Sequence, residues 1–215
     1  MEKEKVLEWM RERGVIAIFR VETREQCFRA MEALLNGGQD ILEVAMTTPN
    51  AIELIREASE KYRGRALIGV GTVLDGETAA RAIDAGAEFV VGPSLHKDVI
   101  DVCKERGVVC IPGTFTATEV VTAWKWGADL IKVFPVSQVG PSYIKALRGP
   151  LPNIPLVPTG GVDVNNAADF IKVGAYCLGV GGALVSMKAI RAGRYEELTE
   201  YAKKLLAVVR EAREG

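Results

Sequence analysis

Short apolar runs recur along this chain at nearly equal intervals, and a glycine introduces each one. Gly14, Gly38, Gly64, Gly86, Gly107, Gly127, Gly149 and Gly174 are separated by steps of 24, 26, 22, 21, 20, 22 and 25 residues. One step holds a strand, a helix and two short connections, and eight such units are the signature of a (β/α)8 barrel. The runs predict strands at Val15–Arg20, Ile41–Met46, Ala66–Thr72, Phe89–Pro93, Val108–Gly113, Leu130–Pro135, Pro155–Thr159 and Cys177–Gly181. They are almost unbroken in Val, Ile, Leu and Ala, as parallel strands covered on both faces should be. Each glycine suits the left-handed position that closes a preceding helix.

The segments between the runs carry helix starts. Thr23 with Gln26 reads as a capping box, followed at helical spacing by Cys27, Ala30, Met31 and Leu34. Thr48-Pro49 reads as an N-cap with proline in the first turn, and Ile52, Ile55, Ala58 and Tyr62 mark the buried face. Asp75 with Thr78, Thr116 with Glu119, and Asp163 with Asn166 are similar openings. The last helix is expected over Tyr195–Arg213, with Leu198, Tyr201, Leu205, Val208 and Ala212 aligned. An amphipathic segment, Lys5–Arg13, precedes the first strand and is expected as an extra N-terminal helix that plugs the barrel. Nothing marks a linker or low-complexity run, so residues 1–215 read as one barrel domain.

Composition narrows the function more than the fold. Apolar residues make up 48%, enough for a substantial core, and the formal net charge is −1 with no basic block. That balance predicts no nucleic acid or acidic membrane as partner. No apolar run has the roughly 18 residues a membrane helix needs. The charged N-terminus lacks the apolar stretch of a signal peptide, which places the chain in the cytoplasm. Cys27, Cys103, Cys110 and Cys177 are scattered and read as reduced, structural thiols. The single histidine, His96, excludes multi-histidine zinc sites and reads as a surface loop residue.

Two ionisable residues interrupt otherwise apolar strands: Glu43 in Ile41–Met46 and Lys132 in Leu130–Pro135. A buried lysine without a partner loses its proton more easily, and the neutral amine is a nucleophile toward carbonyls. The competing reading is a lysine whose stem packs while its head reaches water. In a barrel both side chains fit the interior near the top, where the active site of this architecture lies. A carboxyl beside an amine suits imine chemistry, the amine forming the carbinolamine and the carboxyl moving protons. A structural Glu43–Lys132 ion pair is the alternative; such pairs add little stability compared with apolar residues. Glycine-rich ends on the last two strands, Thr159-Gly160-Gly161 and Gly179-Val180-Gly181-Gly182, suit a phosphate or are simply tight turns. Arg20 and Thr72 are candidate anchors for a substrate carboxylate.

Leu42-Glu43-Val44, Gly69-Val70-Gly71-Thr72-Val73, Ile111-Pro112-Gly113, Ile131-Lys132-Val133-Phe134-Pro135 and Val157-Pro158-Thr159-Gly160-Gly161-Val162 together resemble the 2-keto-3-deoxy-6-phosphogluconate (KDPG) aldolase and 4-hydroxy-2-oxoglutarate aldolase family. The resemblance runs from about Val15 to the last helix. It implies a class I aldolase on a (β/α)8 barrel, assembled as a homotrimer, needing no metal or other cofactor and acting on a small 2-oxo acid. It implies Lys132 as the Schiff-base lysine and Glu43 as general acid and base. Arg20 and Thr72 would hold the pyruvyl carboxylate. Thr159, Gly160 and Gly161, with Gly181 and Gly182, would hold the distal phosphate, and Phe134 and Pro93 would line the pocket. Two positions depart from the family pattern: Thr47 stands where many members carry arginine, and Gly182 aligns with a common serine. An aldolase for an unphosphorylated 2-oxo acid therefore stays open, as do another phosphate-binding barrel isomerase or synthase and a non-catalytic sugar-acid binder or assembly subunit.

Overall fold

In the computed structural model, which describes residues 1–214, strands and helices alternate almost throughout. The strands are β1 (Val15–Phe19), β2 (Ile41–Ala45), β3 (Leu67–Gly71), β4 (Phe89–Val91), β5 (Val109–Ile111), β6 (Gly113–Thr114), β7 (Ile131–Val133), β8 (Leu156–Pro158) and β9 (Leu178–Val180). The helices are α1 (Lys3–Arg13), α2 (Arg24–Asn36), α3 (Ala51–Lys61), α4 (Gly76–Asp84), α5 (Lys97–Arg106), α6 (Ala117–Trp126), α7 (Gly140–Arg148), α8 (Ala167–Lys172), α9 (Met187–Arg191) and α10 (Tyr195–Glu214). Each predicted strand falls on an observed one, one to three residues shorter at its ends, except that Val108–Gly113 becomes two. The break sits at Pro112, which has no N–H to give to the ladder. Its carbonyl still accepts from Lys132 N at 3.0 Å, so pairing continues across the break.

All pairing is parallel, in the orders β5-β4-β3-β2-β1-β9 and β6-β7-β8. A single bridge between Thr159 and Gly179 joins the end of β8 to β9. The result is a curled parallel sheet wrapped in helices. Side chains alternate across it. One face packs Ala17, Leu42, Val44, Ile68, Val70, Ile131 and Val133 against the helices. The other gathers Ile16, Ile41, Leu67, Phe89, Val109, Leu130, Val157 and Cys177 with Val6 and Met10 of α1. This second group is the lower half of the sheet's inner face. Residues of the same parity one pleat higher form its upper half.

Side-chain caps open α2, α4, α6 and α9. Thr23 accepts from Gln26 N, while the Gln26 side chain reaches back to Glu22 N rather than to Thr23. Asp75 caps α4 through Thr78 N, and Thr116 with Glu119 forms a full capping box on α6. Thr48 does not cap α3: its hydroxyl donates to the Phe19 carbonyl at 3.2 Å, and the helix begins later. Asn50 occupies the N-cap at φ 55°, a left-handed conformation that asparagine tolerates. Seven of the eight recurring glycines have positive φ; Gly149, at φ −51°, stays right-handed. On α10 the buried stripe runs through Leu198, Ala202, Leu205 and Val209, a slight rotation from the expected one. All four cysteines are free and buried.

Candidate active site

The alternation that buries Leu130 on the inner face carries Lys132 and Phe134 there too, and the parity of Ile41 does the same for Glu43. Both ionisable residues are enclosed, Lys132 3% and Glu43 2% exposed. The Lys132 side chain is therefore enclosed rather than solvated, and its Nζ sits 5.1 Å from the centre of the Phe134 ring. Ladder neighbours make room. Glu43 lies beside Ile18 and Gly69, and Lys132 beside Gly113 and Val157. Gly71 is needed as glycine, because a Cβ there would overlap Glu43 Oε1. Gly113 is likewise covered by the Pro93–Ser94 peptide, which places Pro93 over the neighbour of Lys132.

The electrostatics follow from enclosure. Burial pulls the Lys132 ammonium below the ordinary lysine value; Glu43 opposes that shift and Arg20 adds to it. Burial pushes the Glu43 carboxyl up, against the pull of Lys132 and Arg20. Among the described residues no ion pair forms between Lys132 and Glu43. Glu43 Oε1 is buried without a hydrogen-bond partner. A buried, unpartnered carboxyl oxygen costs stability that a structural ion pair would have recovered. The arrangement suits a group that has to exchange protons with a substrate.

Beside Phe134 opens a cavity of about 380 Å³ whose wall includes Arg20, Phe134, Thr159, Gly160, Gly161, Gly181 and Gly182. Arg20, exposed at the end of β1, has no ion-pair partner among the described residues, and its guanidinium lies over Gly181. Gly160 and Gly161 have φ of 89° and 78°, which turns the chain sharply at the end of β8. There is no space for side chains: a Cβ on Gly160 would meet the Phe134 ring at 3.1 Å, and one on Gly161 would meet Ser137 Cβ at 2.6 Å. The N–H groups of Gly161, Val162 and Gly182 donate to no protein acceptor among the described residues. Unpaired backbone donors at the tops of two adjacent strands suit an anion. A larger cleft, about 660 Å³, lies at the other end of the strands between α1 and Tyr176, away from both buried ionisable groups.

Of the sequence candidates, Lys132, Glu43, Thr72 and Pro93 stand outside the wall of the cavity, the first two enclosed beneath Phe134 and β3. Thr72 follows β3 with φ 62°, a strained position for a β-branched residue. Thr159 is buried and its hydroxyl donates to the Val157 carbonyl at 3.3 Å. His96 precedes α5, with its ring 2.8 Å from the Ser94 hydroxyl. Two residues outside the sequence candidates matter here. Thr114 is buried, and its hydroxyl donates to the Lys132 carbonyl at 2.9 Å, pinning β7 beside the amine. Asp163 joins the wall of the cavity; its helix-start pattern is legible in the sequence, its position is not.

Known proteins share this fold. The family model for KDPG and KHG aldolase matches residues 6–201. The 2-dehydro-3-deoxy-6-phosphogalactonate aldolase of Escherichia coli (strain K12) is 35% identical over 97% of this chain and 99% of its own. A solved structure of native KDPGal superposes with a TM-score of 0.86 at 34% identity, covering 94% of this chain and 96% of that one. KDPG aldolase from Legionella pneumophila, solved with pyruvate captured as a covalent carbinolamine, superposes with a TM-score of 0.85 at 26% identity, over 91% and 95% of the two chains.

Proposed function

Because the chain belongs to the KDPG and KHG aldolase family and is a class I, pyruvate-dependent aldolase, a carbon–carbon lyase, we propose that Lys132 is its imine-forming amine and Glu43 its general acid and base. The observation that carries this assignment is the enclosure of one amine and one carboxyl on the same inner face, each pushed by burial toward its neutral form. The frame is a single (β/α)8 barrel domain, with α1 closing its lower end.

The substrate class is a 2-keto-3-deoxy sugar acid carrying a distal phosphate, with 4-hydroxy-2-oxoglutarate as a smaller relative. Arg20 and Thr72 hold the pyruvyl carboxylate, and Pro93 and Phe134 bound the pocket. The turn Thr159-Gly160-Gly161, with Gly181 and Gly182, receives the phosphate through backbone N–H groups. In cleavage, neutral Lys132 attacks the C2 ketone. Glu43 protonates the departing hydroxyl, and the resulting iminium draws electrons from the C3–C4 bond. Loss of the C4 hydroxyl proton releases an aldehyde and leaves an enamine. Protonation at C3 and hydrolysis then return pyruvate and the free amine. Closure of the inner face below the site excludes bulk water from the iminium.

No helix among the described residues is long and apolar enough to cross a membrane. We assign the chain to the cytoplasm as a homotrimer; exposed Leu74, Phe115 and Trp124 supply apolar surface for contact between copies.

Borohydride added with pyruvate tests the central assignment. The expected result is one reduced adduct, on the peptide that contains Lys132. An active protein without that adduct, or substantial turnover by Lys132→Arg, would remove Lys132 from the role.

A further inference from the structure

We propose that Thr48 is a positioning residue for carboxylate binding: its buried hydroxyl fixes the Phe19–Arg20 peptide and so aims the Arg20 guanidinium. The proposal rests on the aldolase reading, with Arg20 as carboxylate anchor, and says what holds that anchor in place.

Among the described residues, Arg20 is the one cationic side chain in the wall of the 380 Å³ cavity. It stands where the chain leaves β1, exposed between buried Phe19 and buried Val21. Its side chain reaches toward the end of β9, with Nη1 3.9 Å from the point where a Cβ on Gly181 would stand. No carboxylate and no hydrogen bond holds the guanidinium there among the described residues. A long side chain that is free at its tip takes its direction from its base, and arginine has much rotamer freedom to lose on binding. A small tilt of the peptide that carries Arg20 is magnified along the side chain.

Thr48 grips that base. Its N–H donates to the Ala45 carbonyl at 2.8 Å, closing the turn after β2. The hydroxyl donates across to the Phe19 carbonyl at 3.2 Å. That carbonyl belongs to the peptide whose nitrogen is Arg20's own. Thr48 is 3% exposed, so the bond is shielded from competing water. The hydroxyl is not spent on local structure, because Asn50 is the N-cap of α3. Its one hydrogen bond among the described residues ties the loop after β2 to the last residue of β1. Valine would fill nearly the same space and leave the carbonyl without this donor. The peptide would then be free to tilt, and a misplacement of about 1 Å in a substrate-positioning group is enough to weaken its action.

The test reads borohydride trapping of pyruvate as two quantities, the half-saturating pyruvate concentration and the limiting rate. Thr48→Val and Thr48→Ser are compared, each alone and combined with Arg20→Gln. Alone, Thr48→Val should raise the half-saturating concentration about fivefold or more and leave the limiting rate within about twofold. Thr48→Ser keeps the hydroxyl and should stay within about twofold of wild type in both quantities. With Arg20→Gln no guanidinium remains to be aimed, so adding Thr48→Val should change the half-saturating concentration by less than about twofold. If Thr48→Val does not fold, Thr48→Ala takes its place in the same cycle. An unchanged half-saturating concentration in the variant without the hydroxyl, an equal rise with and without Arg20, or no rescue by serine would overturn the proposal and leave the aldolase assignment intact. A wild type that traps no pyruvate adduct would overturn both.

Discussion

The carboxyl of Glu43 rests directly on the Cα of Gly71, so closely that a single added methyl group would occupy the place of Oε1. The two residues sit on neighbouring strands, where Ala45 pairs with Gly71 and Glu43 with Gly69. The absent side chain at position 71 is thus the seat of the proposed general acid and base. Gly71→Ala should displace Glu43 and lower kcat by about 10²-fold or more, close to the loss in Glu43→Gln. Parallel kcat and thermal-melt measurements on the two variants check this. A Gly71→Ala enzyme with full kcat would show that the carboxyl does not need its seat.

Arg20 shapes both ionisations from the rim. Its positive charge holds the Lys132 ammonium and the Glu43 carboxyl lower than burial and their mutual attraction alone would. Removing it in Arg20→Gln should raise both values. The rising limb of pyruvate trapping, followed with borohydride at saturating pyruvate, should move to higher pH. An unmoved limb, or a shift toward acid, would contradict the electrostatic coupling.

Enclosing the pair should cost stability. Lys132 is lowered, so the native state binds fewer protons than the unfolded chain between its folded value and the ordinary value of 10.5. Stability from this group therefore rises with pH across that window and is lost as pH falls through it. Glu43 is raised, so its contribution runs the other way, falling as pH climbs from 4.5 toward its folded value. Both shifts have burial as their largest cause, which disfavours each charged form. The double variant Glu43→Gln/Lys132→Met should be inactive yet more stable by about 1–3 kcal/mol. For a chain of this size that is about 2–4 °C in Tm per kcal/mol, measurable by calorimetry. A lower Tm would mean that the pair stabilises the fold.

The glycines of the two turns should separate cleanly. At φ 78° with Ser137 in the way, Gly161 tolerates no side chain, and Gly161→Ala should cost about 1–2 kcal/mol and raise KM for the phosphorylated substrate. Gly182 faces open space, and Gly182→Ser should change stability by less than about 0.5 kcal/mol while lowering that KM. Chemical denaturation and steady-state kinetics on the two proteins distinguish the cases. Equal destabilisation by both would show that the turns are built alike.

The glycine-punctuated repeat determined the strands and most of the helices, because apolar continuity and cap chemistry are local properties. It also marked Glu43 and Lys132, since a charge inside an apolar run is visible without a fold. Thr48 looks like a cap in the sequence and is none, because its hydroxyl is taken by the Phe19 carbonyl, 29 residues away along the chain. The same limit hides Thr114 beside the Lys132 carbonyl and Asp163 in the cavity wall. Only the curl of the sheet brought Arg20 of β1 to the turns after β8 and β9, through pairing of the first strand with the last. Only enclosure decided between a solvated lysine and a buried one. Local pattern settles which atoms each segment carries; the dielectric and the neighbours that give those atoms their chemistry come from parts of the chain far apart in sequence.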